Sequence, residues 1–173
     1  MLTYVKGAIL DLLSLFIGRL TDTQFEFKLA SPDLLSDTYV WSPDSSRLAF
    51  EDEDHNIVTI KPDGSDKRQL VSTSHFSLFL QIISWSPDGQ YLLYATDGFL
   101  FHTVWVDGSG GIDLDSQVKA VDYDSAVTVG WSPDSQWLTY GKQGDIFVVN
   151  IYNSASPIQL TRSGNNYSPQ WQP

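Results

Sequence analysis

The chain has 173 residues, room for one domain with a sizeable core. Ten Lys and Arg against 21 Asp and Glu leave a net charge of −11 at pH 7, which argues against a nucleic-acid backbone or an anionic bilayer surface as partner. With 42% apolar and 18% charged residues, no Cys and no apolar run of 18 residues, the chain is not a disordered polyelectrolyte, a disulfide framework, a thiolate metal site or a membrane-spanning helix.

The amino end sets two patterns against each other. Residues Ala8 to Gly18 resemble a signal-peptide core after Lys6, but Asp11 interrupts them and no small-x-small cleavage site follows closely. Ile9, Leu12, Leu13, Phe16 and Ile17 fall near helical spacing. Comparison with the rest of the chain favours strands. Leu2-Thr3-Tyr4 matches Leu138-Thr139-Tyr140, Ile9 to Leu15 matches Ile146 to Ile151, and Gly18-Arg19-Leu20-Thr21 matches Ile158-Gln159-Leu160-Thr161.

Downstream, Trp41-Ser42-Pro43-Asp44-Ser45 recurs as Trp85-Ser86-Pro87-Asp88-Gly89 and Trp131-Ser132-Pro133-Asp134-Ser135, and Trp171-Gln172-Pro173 is a degenerate copy. The Trp residues are 44, 46 and 40 residues apart, a period that suits a four-stranded propeller blade. Seven residues after each full-motif Trp stands Leu48-Ala49-Phe50, Leu92-Leu93-Tyr94 or Leu138-Thr139-Tyr140. A polar turn follows, then a β-branched or aromatic run: Asn56 to Ile60, Leu100 to Val106 and Asp145 to Ile151. Lys61-Pro62-Asp63-Gly64, Asp107-Gly108-Ser109-Gly110 and Tyr152-Asn153-Ser154 supply the next turns. In the motif, Pro presets φ for the second position of a type I turn, and Asp accepts a following backbone N–H. The Trp ring ends the first strand and packs between blades.

These motifs resemble the WD-repeat-like propeller repeat of TolB-type proteins, which also occurs in the propeller domains of prolyl-oligopeptidase-like peptidases. The resemblance implies an all-β β-propeller. TolB-type proteins usually carry six blades and an extra α/β domain. This chain has room for four blades of four antiparallel strands, so TolB partner contacts do not transfer. The resemblance implies the periplasm or cell envelope; without it the cytoplasm is expected.

The expected domain is one propeller over 1–173. Its blades lie at about 1–35 plus 166–173, 36–78, 79–122 and 123–165. The ring is expected to close by pairing of residues near Ser168–Trp171 with Leu2–Val5, which removes two free sheet edges.

No catalytic signature stands out. There is no Gly-x-Ser-x-Gly, no His-Glu-x-x-His and no phosphate or dinucleotide loop; Gly108-Ser109-Gly110-Gly111-Ile112-Asp113 reads as a turn. His55, His75 and His102 are the bases available to a Ser/His/Asp arrangement, and they sit at different phases of the repeat. Glu51-Asp52-Glu53-Asp54 lacks alternating calcium-ligand spacing and reads as a solvated hairpin tip. Asn166-Tyr167-Ser168 is a glycosylation sequon in the expected closing strand. No metal or cofactor is expected.

The expected function is a non-catalytic scaffold for a protein or peptide, for which the acidic surface suits a basic partner. By position in the repeat, Asp37, Thr38, Gln81, Asp124, Thr128 and Asn166 are the expected contact residues. The alternatives are a hydrolase or lyase with its site at a channel mouth, and a piece of a larger propeller that works by self-association. A monomer is favoured over a homodimer.

Overall fold

The computed structural model describes residues 2–7, 13–20, 25–72, 80–96, 100–114, 129–166 and 168–172. Every regular element among them is a strand, and every described pairing is antiparallel. The chain forms two compact units, Met1–Ile82 and Ile83–Pro173.

The first unit is a six-stranded ladder in sequence order: β1 (Leu2–Gly7), β2 (Leu13–Leu20), β3 (Phe25–Trp41), β4 (Leu48–Asp52), β5 (Ile57–Ile60) and β6 (Arg68–Val71). The strand β3 is long because it serves two neighbours. Its first part pairs with β2, its last residues pair with β4, and the register shifts between Leu34 and Tyr39. Leu48, Phe50, Val58 and Ile60 alternate onto one face and form a buried cluster with Ile17 of β2, against which Tyr39 and Trp41 pack. Each such aliphatic or aromatic side chain contributes about 1.5–3 kcal/mol on burial.

The second unit holds two four-stranded meanders. One is β7 (Gln81–Trp85), β8 (Tyr91–Thr96), β9 (Leu100–Trp105) and β10 (Gly111–Asp113); β7 begins just before the boundary between the units. The other is β11 (Val129–Trp131), β12 (Trp137–Lys142), β13 (Asp145–Asn150) and β14 (Asn153–Gln159). The two meanders stack face to face. Tyr91 lies 6.1 Å from Trp131 and 6.2 Å from Tyr152, and Phe101 lies 6.4 Å from Tyr140, between ring centres. The Tyr91 hydroxyl donates to Tyr152 Oη at 3.0 Å, and Asp88 N–H donates to Ser135 Oγ at 3.0 Å.

Each Trp-Ser-Pro-Asp motif closes the hairpin between the first two strands of its repeat. The i→i+3 turn bond runs from Ser45 N to Ser42 O, from Gly89 N to Ser86 O and from Ser135 N to Ser132 O. Pro therefore occupies the expected second turn position. Ser45, Gly89 and Ser135 all take positive φ, 58°, 70° and 60°, to re-enter the next strand.

Several local expectations need correction. Residues Leu13–Leu20 are a strand, as the alignment required; residues 8–12 lie outside the described residues. Gly7 pairs with Leu13 across a longer connection than the one joining Lys142 to Asp145, and Gly18-Arg19-Leu20 consequently ends β2 rather than the following strand. Asn153 and Ser154 open β14 rather than continuing a turn. The acidic run is not wholly solvated: Glu51 and Asp52 end β4 and are buried. Glu51 Oε1 lies 2.7 Å from His55 Nδ1. Asp52 accepts the N–H groups of Asp54 and Asn56, and Lys67 Nζ reaches it at 3.2 Å.

The sheets do not close on one another as expected. Residues 168–172 form no strand, and β1 is the end strand of its ladder, with β2 as its neighbour. Trp171 instead donates its indole N–H to Gly130 O at 3.2 Å.

Candidate functional site

The outer face of the third sheet, β11–β14, carries an open groove of about 550 Å³. Strand alternation builds it. Trp137 on β12, Val148 on β13 and Ile158 on β14 share one face, because Thr139 pairs with Val148 and Val148 with Ile158. Leu160 extends that row, and Trp171 with the Ser132-Pro133-Asp134 turn completes the groove. Ile158, Leu160 and Trp171 are 53%, 57% and 36% exposed, which makes this an apolar surface open to solvent.

Polar contacts fix the groove walls. Ser132 Oγ donates to Asp134 Oδ1 at 2.5 Å and accepts Trp137 N–H at 2.9 Å, and Asp134 Oδ1 also accepts Gln136 N–H at 3.1 Å. These bonds hold the Asp134 carboxyl below its ordinary range, so a fixed negative charge sits at one end of the groove. Asp145, which opens β13, gathers the chain that follows β14. Its carboxylate accepts from Thr161 Oγ1, Gly164 N–H, Gln159 Nε2 and Asn166 Nδ2. Asp145 is held low by the same bonds, that from Gly164 foremost. Leu160 N–H donates to Ile146 O and Asn166 N–H to Gly144 O, which docks residues 160–166 on the β12–β13 hairpin.

Of the expected contact residues that are described, none is among those lining the groove. Asp37 and Thr38 lie in β3, and Gln81 opens β7. Asp124 and Thr128 lie outside the described residues. Asn166 is half-buried and braces the 160–166 segment, donating also to Ser163 Oγ at 2.6 Å. The groove residues Trp137, Val148 and Leu160 are not among the contacts expected from the repeat. Their signal in the sequence is the aromatic six residues after the motif Trp, as Tyr91 follows Trp85 and Trp137 follows Trp131.

Two of the three His residues have described partners. His102 Nε2 lies 2.9 Å from Thr96 Oγ1, with its ring stacked 5.1 Å from Tyr94; His55 is paired with Glu51. His75 lies outside the described residues. Among the described residues, no three His, Asp or Glu side chains gather as metal ligands, and no helix is long and apolar enough to cross a membrane.

No protein-family model matches the chain, and no curated protein matches it. Solved structures do resemble it. An oligogalacturonate lyase in complex with manganese aligns with a TM-score of 0.60 at 16% identity, covering 88% of this chain and 43% of that one. The tricorn protease aligns with a TM-score of 0.61 at 15% identity, covering 88% and 16%. A chain described as TolB from Agrobacterium tumefaciens aligns at 0.49 and 19% identity, covering 88% and 58%. The chain thus spans less than two thirds of each. At such identities the likeness concerns the fold alone: an all-β repeat of the β-propeller type.

Proposed function

We propose that the chain is a propeller-type scaffold that binds a protein or peptide, and that the groove on the third sheet is a principal contact surface. The observation that carries this reading is the row Trp137, Val148, Ile158, Leu160 and Trp171, an apolar strip open to solvent beside the hydrogen-bonded Ser132-Pro133-Asp134 turn. A strip of this kind anchors apolar side chains, and the Asp134 carboxylate at its rim favours a neighbouring cation on the partner. Asp37, Thr38, Gln81, Asp124, Thr128 and Asn166 belong to the same proposal as a peripheral set. The four-blade domain layout also belongs here.

The test is a peptide selection on immobilised chain. Peptides enriched by the parent should carry aromatic or aliphatic anchors and lose binding at least tenfold to Leu160→Lys. Equal binding to both proteins overturns the groove as the contact surface.

A lyase or hydrolase is the second reading, because the similar solved structures include a lyase and a protease. Within this chain it has the Thr96–His102 contact in its favour. Turnover of ester, peptide or glycoside substrates that vanishes in His102→Gln would support it.

A further inference from the structure

The first unit carries a cluster of cations that takes no part in the groove. Arg47 precedes β4, Lys61 follows β5, and Arg68 opens β6. All three meet at one carboxylate, Asp66. Its Oδ2 lies 2.9 Å from Arg47 Nη1, 3.4 Å from Lys61 Nζ and 2.9 Å from Arg68 Nη2, and Arg68 Nε donates to Oδ1 at 3.0 Å.

The sheet sets this arrangement in place. Arg47 Nε donates to Thr59 Oγ1 at 3.0 Å, and Arg47 Nη2 donates to the carbonyls of Thr59 at 3.4 Å and Asp66 at 2.6 Å. Thr59 is fully buried and the Arg47 side chain is 11% exposed, so this guanidinium is fixed before any ligand arrives. Asp66 takes a φ of 56°, left-handed backbone that a non-glycine residue keeps where its surroundings hold it. The Lys61 and Arg68 side chains, 51% and 49% exposed, stay open to solvent.

A salt bridge that only fastened two turns together would need one cation for its carboxylate. Here three cations share one, which leaves +2 on a chain of −11. Asp63, the other acid of this turn, directs its Oδ1 to the Ser65 N–H and hydroxyl. Lys67 stands apart, because its Nζ reaches Asp52. Among the described residues, Arg68 Nη1 has no acceptor, and Lys61 Nζ has none besides Asp66.

We propose that Arg47, Lys61 and Arg68 form a binding site for a phosphate monoester, with Asp66 holding the two guanidiniums side by side. All three cations come within 3.4 Å of a single oxygen, so their remaining N–H groups surround one point. A phosphoryl group offers three acceptor oxygens to these three donors, and its charge of about −1.5 to −2 matches the surplus of the cluster. A carboxylate offers two oxygens and half that charge. The site goes beyond the scaffold reading and does not depend on the groove.

Titration of the ¹⁵N-labelled chain with sodium phosphate at constant ionic strength tests this. The amides of Arg47 and of Lys61 to Arg68 should shift together and saturate, with a Kd of about 1 mM, while acetate binds about tenfold more weakly. Arg68→Gln and Lys61→Gln should each weaken phosphate binding about tenfold. Lys67→Gln removes the same charge beside the site and should leave binding within about twofold of the parent. Circular dichroism checks that each variant keeps its strands, and Lys61→Gln carries the test if Arg68→Gln loses them. A phosphoserine peptide that binds more tightly than phosphate supports the site with the group carried on a partner chain; one that binds no more tightly supports it with a free phosphate monoester. No saturable shift at these amides up to about 50 mM phosphate overturns the proposal. An equal response to acetate overturns it too, as do equal losses in Lys67→Gln and the site variants.

Discussion

Ser86 is fully buried, and its hydroxyl joins three chain positions: it donates to Asp88 Oδ1 at 2.5 Å and accepts Tyr91 N–H at 2.9 Å, five residues on. Ser42 and Ser132 repeat the arrangement. Ser86→Ala leaves the Tyr91 N–H without its side-chain acceptor and should cost about 1–3 kcal/mol in urea unfolding; an unshifted midpoint contradicts the role. Proline and aspartate were readable in this turn because their effects are local. The serine's role was not, because it depends on an N–H that only the closed hairpin brings near. The Tyr140 hydroxyl shows the opposite situation. It is buried with no hydrogen-bond partner among the described residues, and burial pushes its pKa up to about 12. Tyr140→Phe removes that desolvated group and should hold or raise stability by up to about 1 kcal/mol. A loss of more than that in thermal unfolding would reveal a partner for the hydroxyl.

Hairpins decide how the elements meet. The β12–β13 connection is the two-residue turn Gln143-Gly144, with φ of 53° and 75°, so both residues are left-handed as a type I′ hairpin needs. A Cβ at Gly144 would also run into the carbonyl oxygen of Gly164. Gly144→Ala should therefore loosen the 160–166 segment as well as strain the turn, at a cost of about 1 kcal/mol or more. Hydrogen exchange reads it directly: the Asn166 amide, bonded to Gly144 O at 2.7 Å, should exchange faster than in the parent. Unchanged protection there rules out the coupling. Trp171 shows the same dependence on neighbours. The sequence marks it as a fourth motif tryptophan, yet its indole binds Gly130 O and lines a groove beside the third sheet.

At the scale of the molecule, several carboxylates are held below their ordinary range by local donors. Asp44 is lowered to about 2, chiefly by the Ser42 hydroxyl and then the Ser46 N–H. Asp107 is lowered by Ser109, Asp134 by Ser132 and Asp145 by Gly164. The Arg68 and Arg47 guanidiniums hold Asp66 well below the usual carboxylate range. A folded pKa below the unfolded value contributes stability that is complete above about pH 4–5 and is lost as pH falls through the folded value. The melting temperature should stay level on this account from pH 7 to 5 and drop between about pH 4 and 2. Asp44→Asn should flatten part of that drop. A parent curve without an acid limb contradicts these assignments.

The sequence by itself determined the repeat, its strands and its motif turns, since side-chain alternation and φ preference act over a few residues. Its match of Ile9–Leu15 to Ile146–Ile151 missed the register, in which Phe16 pairs with Tyr4 as Phe147 pairs with Tyr140, because nothing in a short apolar run fixes the pairing. Only the tertiary structure decided which faces are sealed and which stay open. Tyr91 and Trp137 hold equivalent positions in their repeats, and what separates a buried ring from a groove wall is whether a further sheet lies over it.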